Sequence, residues 1–152
     1  MTDTKYVETV ERTIPAPPEA IFALIADPSR HQDIDGSGTV REAPEGSKQL
    51  ALGDTFGMSM KAGMSYSMSN TVIEYEPNRL LAWQTRGGGK LGKRFAGRIW
   101  RYELEPVEGG TRVRESWDLS EETGKALVWR ARGKTRKNMD ATLERIEQVV
   151  TT

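Results

Sequence analysis

The stretch Val7–Gly38, VETVERTIPAPPEAIFALIADPSRHQDIDGSG, decides the reading of the fold. Tyr6–Ile14 reads as a strand rich in Val and Thr, β-branched residues that suit a half-buried pleat. Pro15, Pro17 and Pro18 then block further pairing, and Pro18 suits the first turn of a helix, where its missing N–H has no partner to lose. Ala20–Asp27 sets Ile21, Leu24 and Ile25 at helical spacing, with Pro28 as the stop. Ser29–Gly38 reads as a polar turn or short helix that carries the only histidine, His31.

Working outward, Thr39–Glu42 reads as a short edge strand ended by Pro44 and Gly46. Asp54–Met60 and Met64–Tyr75 form the clearest hairpin. A three-residue loop Lys61-Ala62-Gly63 would oppose Met60 to Met64, Met58 to Tyr66 and Phe56 to Met68. The large apolar side chains would then share one face and the serines the other. Beyond Asn70 the apolar set switches to Ile73 and Tyr75, which predicts a bulge. Arg79–Arg86 is the next strand, with Leu81 and Trp83 as its bulky set. Arg94–Glu105 and Thr111–Leu119 make a second hairpin across Pro106–Gly110, opposing Leu104 to Val113, Tyr102 to Glu115 and Trp100 to Trp117. After Ser120 the pattern turns helical, with Met139, Leu143, Ile146 and Val150 on one stripe and Gly133 as a kink or an end to a preliminary helix.

The chain has 152 residues, 36% hydrophobic and 29% charged, and no tract that would divide it, so it reads as one soluble domain over residues 1–152. Its longest apolar run, inside Ala20–Ala26, is too short to span a bilayer, and Met1–Lys5 is too polar for a signal peptide. With no Cys there is no disulfide and no thiolate ligand, which fits a reducing, cytoplasmic setting. A net charge of zero argues against a nucleic-acid partner.

The pieces Ile14–Phe22, Asp27–His31, Asp35–Gly38, Glu76–Trp83, Tyr102–Pro106, Gly109–Val113 and Thr142–Ile146 occur in the order seen in one family. On them the chain resembles the polyketide cyclase/dehydrase-like (SRPBCC) branch of the START and birch-pollen-allergen helix-grip superfamily. The resemblance implies an α+β fold: a curved antiparallel sheet of about seven strands around a long C-terminal helix, with one or two short helices after the first strand. It also implies an internal cavity for a hydrophobic molecule. It lends no universal catalytic residue.

Glu115, flanked by Trp100 and Trp117 and opposite Tyr102, alternates onto the interior face. A carboxyl there loses hydration, so its pKa rises and it could act as acid or base, with the Tyr102 hydroxyl orienting it. The simpler reading is a hydrogen-bonded carboxyl that stabilises the cavity wall, and it is preferred. His31 has Asp27, Asp33 and Asp35 nearby in sequence but reads as a solvated turn residue, and one His with scattered Asp is no metal site. Gly87–Arg94 resembles a phosphate-binding loop, yet Arg94 replaces the Ser or Thr that holds Mg²⁺ and a strand follows where a helix should open. No cofactor is expected. The basic segments Arg86–Arg101 and Lys125–Lys137 allow at most weak contact with a membrane surface, and Arg130, Lys134 and Lys137 could steer an anionic ligand.

The expected cavity wall comprises Met58, Met60, Tyr66, Met68, Trp83, Trp100, Tyr102, Glu115 and Trp117, with Met139 and Leu143 from the helix. Adaptable thioethers among them suit a pocket for aromatic or flexible ligands. The leading expectation is binding or carriage of a hydrophobic small molecule. The alternatives are a cyclase, aromatase or dehydratase using Glu115 or Tyr102, and a partner-binding stress or regulatory factor.

Overall fold

A computed structural model gives the architecture. It describes residues 5–36, 49–61, 65–87 and 96–152, with side chains at 5–36, 49–57, 68–87 and 96–152. The described elements run β1 (Val7–Ile14), α1 (Pro18–Ile25), a 3-10 turn (Pro28–Arg30), α2 (His31–Ile34), β2 (Thr55–Lys61), β3 (Ser65–Glu76), β4 (Leu80–Gly87), β5 (Ala96–Val107) and β6 (Gly110–Asp118). They end with α3 (Lys125–Val128), a second 3-10 turn (Trp129–Ala131) and α4 (Arg132–Val150). The strands form one antiparallel sheet in the order β1-β6-β5-β4-β3-β2, open and curved. This is the expected α+β helix-grip arrangement. The expected strand Thr39–Glu42 and most of the phosphate-loop look-alike, from Gly88 to Arg94, lie outside the described residues.

The sheet's apolar side is covered by the helices. Val10, Ile14, Leu81, Val113 and Trp117 pack with Ile21, Phe22 and Ile25 of α1 and with Met139, Leu143 and Ile146 of α4 in one core. The last three are the expected helical stripe, at spacings of four and three residues that put them on one face. Arg136 of α4 pairs with Glu8, and Arg12 donates to Glu147 at 3.0 Å, so ion pairs fasten the helix to β1 at two levels.

The β5–β6 register is as expected: Trp100 opposes Trp117, Tyr102 opposes Glu115 and Leu104 opposes Val113. The β2–β3 register differs. Lys61 pairs with Ser65, Met60 opposes Tyr66, Met58 opposes Met68 and Phe56 opposes Asn70. Each partner moves by two residues, which leaves the face alternation unchanged because the side-chain period is two. The expected bulge is present, with Ile73 between the pairs Val72–Trp83 and Glu74–Ala82. The bulge turns Glu74 to the outer side, where Arg101 reaches across Ala82 to grip both its oxygens at 2.8 and 2.7 Å.

Two boundaries also differ from expectation. Pro106 lies inside β5 opposite Thr111, and the turn narrows to Glu108-Gly109. Gly133 neither kinks nor ends a helix. It is the second residue of α4, and the interruption falls earlier, at Trp129–Ala131. A glycine in a first turn costs the helix little compared with one mid-helix, where the backbone must stay fixed on both sides.

Candidate functional site

Three strands deliver the candidate residues in aligned rows. Trp83 of β4, Trp100 of β5 and Trp117 of β6 are direct cross-strand partners, and so are Leu81, Tyr102 and Glu115 in the next row. Alternation turns both rows to the covered side of the sheet. Trp83, Tyr102, Glu115 and Trp117 are buried, and Trp100 and Met68 are half-buried. Met139 and Leu143 are buried on the facing helix. The side chains of Met58, Met60 and Tyr66 lie outside the described residues.

Glu115 is 2% exposed and has no basic partner among the described residues. Instead it shares a hydrogen bond with the Tyr102 hydroxyl, while its Oε1 has no partner among the described residues. Loss of hydration pushes its carboxyl up to about 8, outweighing the hydrogen bond from Tyr102, which pulls the other way. Glu115 is therefore mainly protonated at neutral pH. Burial also pushes the Tyr102 phenol up, with the neighbouring carboxyl adding to it, so both groups of the pair are neutral.

His31 departs from the sequence reading. It is buried, not solvated: its Nε2–H donates to the Ile25 carbonyl at 2.8 Å and its ring stacks on Trp83 with centroids 5.1 Å apart. Phe56 packs edge-on against both rings. Burial pushes the imidazole pKa down, so the ring is neutral. The local reason is a tight reversal. Asp27 accepts from the Ser29 N–H at 3.0 Å and the Ser29 hydroxyl at 2.7 Å, which closes the 3-10 turn and starts α2 with His31 and Ile34 on one face. The signal that could have revealed it is that three-residue spacing between His31 and a hydrophobic Ile34.

Asp35 and Gly36 hold this segment against α4. The Gly36 N–H donates to Thr142 Oγ1 at 2.8 Å, and Arg145 donates to the Asp35 carbonyl at 2.6 Å. A Cβ on Gly36 would lie 2.1 Å from the Asn138 carbonyl oxygen, so only glycine permits this approach. The Asp35-Gly36 step thus docks on the covering helix and keeps His31 over Trp83. A second buried polar pair, unforeseen in the sequence, lies nearby: Thr85 donates to Asn70 Oδ1 at 2.6 Å, and Asn70 donates to the Phe56 carbonyl at 3.3 Å.

At the other end of the tryptophan row, Trp129 stacks on Trp117 with centroids 6.1 Å apart, and Tyr6 meets Trp129 edge-on. Arg130, in the second 3-10 turn, and Lys134 and Lys137, in α4, are exposed. Among the described residues no cluster of His, Asp or Glu could hold a metal ion, and no helix is long and apolar enough to cross a membrane.

Comparison with known proteins agrees with this fold. The chain is 37% identical over 107 residues to the uncharacterized protein Rv0088 of Mycobacterium tuberculosis, a match covering 69% of this chain and 44% of that protein. The chain therefore spans less than half the length of that relative. Among solved structures it is similar to protein NE0264 from Nitrosomonas europaea, with a TM-score of 0.77 at 14% identity, covering 99% of this chain and 97% of that one. It is also similar to the AHSA1-like protein from Aeromonas hydrophila, with a TM-score of 0.66 at 19% identity, covering 94% and 93%. Residues 7–151 match the family described as polyketide cyclase / dehydrase and lipid transport, and the chain belongs to that family.

Proposed function

We propose that this protein binds and carries a hydrophobic, aromatic or polyketide-like small molecule between the sheet and α4, in the cytoplasm. One observation carries the reading: Glu115 is held neutral and buried opposite Tyr102, one row from the tryptophans, with one oxygen unpartnered among the described residues. A purely structural core gains nothing from a buried carboxyl with a spare oxygen, because leaving a buried polar atom unpaired costs about 1–3 kcal/mol. A ligand oxygen or hydroxyl that meets it recovers that cost. The lining proposed is Met58, Met60, Tyr66, Met68, Trp83, Trp100, Tyr102, Glu115, Trp117, Met139 and Leu143.

The same carboxyl supports a second reading, an enzyme of cyclase or dehydratase type. A protonated Glu115 beside Tyr102 can deliver a proton to a carbonyl oxygen in a ligand held folded by the cavity. Two experiments test these readings. Native mass spectrometry of freshly purified protein, followed by organic extraction, should return a bound aromatic or polyketide-like molecule chemically unchanged. An amphipathic aromatic probe should alter tryptophan emission, and a chelator should leave that response intact; loss of the response with chelator would overturn a metal-free binding site. Binding that survives Glu115→Gln while conversion of the extracted molecule stops would replace the carrier by the enzyme.

A further inference from the structure

Lys125, Arg130, Arg132, Lys134, Arg136 and Lys137 crowd one short segment, and no Asp or Glu occurs between Glu122 and Asp140. The whole chain balances 22 basic against 22 acidic residues, so this concentration is local. Arg136 is paired with Glu8, while the other five are in no ion pair among the described residues.

The conformation of the segment sorts its side chains. α3, the second 3-10 turn and α4 follow one another without a gap from Lys125 to Val150. Val128, Trp129, Thr135 and Met139 turn inward and are half-buried or buried. Leu127, Arg130, Lys134 and Lys137, at spacings of three, four and three residues, are all exposed and form a ridge on the other side. Leu127 is 69% exposed. Arg132, also exposed, holds its guanidinium 5.5 Å from the centre of the Trp129 ring.

A single exposed leucine is ordinary on a protein surface. Set among unpaired cations, it matches the boundary of an anionic bilayer, where cations meet headgroups and an aliphatic side chain reaches the acyl chains beneath. Two features favour a bilayer over a nucleic acid. Leu127 gains nothing from a phosphodiester backbone. Trp129, the one aromatic residue among these cations, already stacks on Trp117 and carries Arg132 over its ring, so it is not offered to a base.

We propose that the ridge from Leu127 to Lys137 docks this protein, peripherally and reversibly, on bilayers that carry anionic lipid. Leu127 enters the boundary between headgroups and acyl chains, and Arg130, Arg132, Lys134 and Lys137 meet the headgroups. The ridge is separate from Glu115 and Tyr102, so this docking stands or falls independently of the ligand-binding reading.

Cosedimentation of the whole protein with phosphatidylcholine vesicles, with or without about 30% phosphatidylglycerol, tests it at low salt. Each exposed cation near such a surface is worth about fivefold in partitioning, so the four together should favour the anionic vesicles by about a hundredfold or more. Added salt should erase that preference. Lys134→Gln combined with Lys137→Gln should weaken anionic-vesicle binding about 25-fold, and Leu127→Ser about tenfold. Leu52→Ser, at the other exposed large apolar residue, should bind as the wild type does. All three variants should melt with the wild type, because the altered side chains are exposed. Equal partitioning of the wild type into neutral and anionic vesicles, or none into either, overturns the proposal, and that comparison needs no variant. A loss in Leu52→Ser as large as in Leu127→Ser overturns the assignment to this ridge. Vesicle binding unchanged in Leu127→Ser, with tighter binding of a single-stranded oligonucleotide, would give the surface to a nucleic acid instead.

Discussion

Replacing Glu115 by Gln should change how stability depends on pH, and the structure sets both sign and size. The carboxyl titrates near 4.5 when exposed in the unfolded chain and is pushed up to about 8 in the fold. Between those values the native protein holds a proton that the unfolded chain releases, so stability contributed by the neutral carboxyl is lost as pH rises through this window. Each pH unit is worth about 1.4 kcal/mol, so from about pH 5 to about pH 7.5 the wild type should lose about 3 kcal/mol relative to the variant. For a domain of this size that corresponds to a relative shift in melting temperature of about 6–12 °C. His31 works in the opposite direction. Its depressed pKa means that stability is lost as pH falls below the ordinary imidazole value, but this ramp is common to both proteins and cancels in their difference. Gln keeps the side chain's size and can still meet the Tyr102 hydroxyl. Urea melts of both proteins across this pH range would measure the difference directly. Wild-type and Glu115→Gln stabilities that run parallel with pH would refute the buried, neutral carboxyl.

Gly36→Ala should destabilise the protein by at least about 2 kcal/mol, because the added methyl meets the backbone of α4 and breaks the approach that holds α2; a melt unchanged from wild type would show that the two segments part freely. Truncation before Met139 should leave no cooperative melt. It removes Met139, Leu143 and Ile146, each worth roughly 1.5–3 kcal/mol of burial, a total comparable with the whole stability of a domain; a monomeric truncated form with a cooperative transition would show that the sheet is covered by something else.

The sequence carried the β5–β6 half of the site legibly because its large residues alternate without interruption on both strands and the turn between them is short. Trp100, Tyr102 and Leu104 on one strand and Val113, Glu115 and Trp117 on the other admit a register that buries every bulky group. The β2–β3 hairpin is less constrained. Its loop can close before or after Lys61, and a two-residue slip preserves the faces, so the hydrophobic pattern cannot choose between the two. The burial of His31 is illegible in the sequence for another reason. Its helix is only four residues long, too short for periodicity to show, and its polar neighbours Ser29, Arg30, Gln32 and Asp33 suggest water on every side. The burial comes from tertiary packing, from Asp35-Gly36 docking on α4 and Trp83 rising to meet the ring, and neither is a local property of the sequence.

The pairing of β1 with β6 has a consequence for how the chain is made. β1 is synthesised early, yet its hydrogen-bonding neighbour is Gly110–Asp118 and the helix fastened to it comes later still. A nascent chain emerging from the ribosome therefore carries Val10 and Ile14 on an unpaired strand while a hundred or so further residues are translated. The sheet can assemble from β2 to β5 in order of appearance through local hairpins, but its final strand is recruited backwards, from the start of the chain. Such long-range closure slows folding and leaves an apolar edge open to chaperones or to a neighbouring nascent copy in the meantime. The prolines that follow Ile14 limit that hazard, because they cut the exposed edge short before it becomes long enough to template another strand.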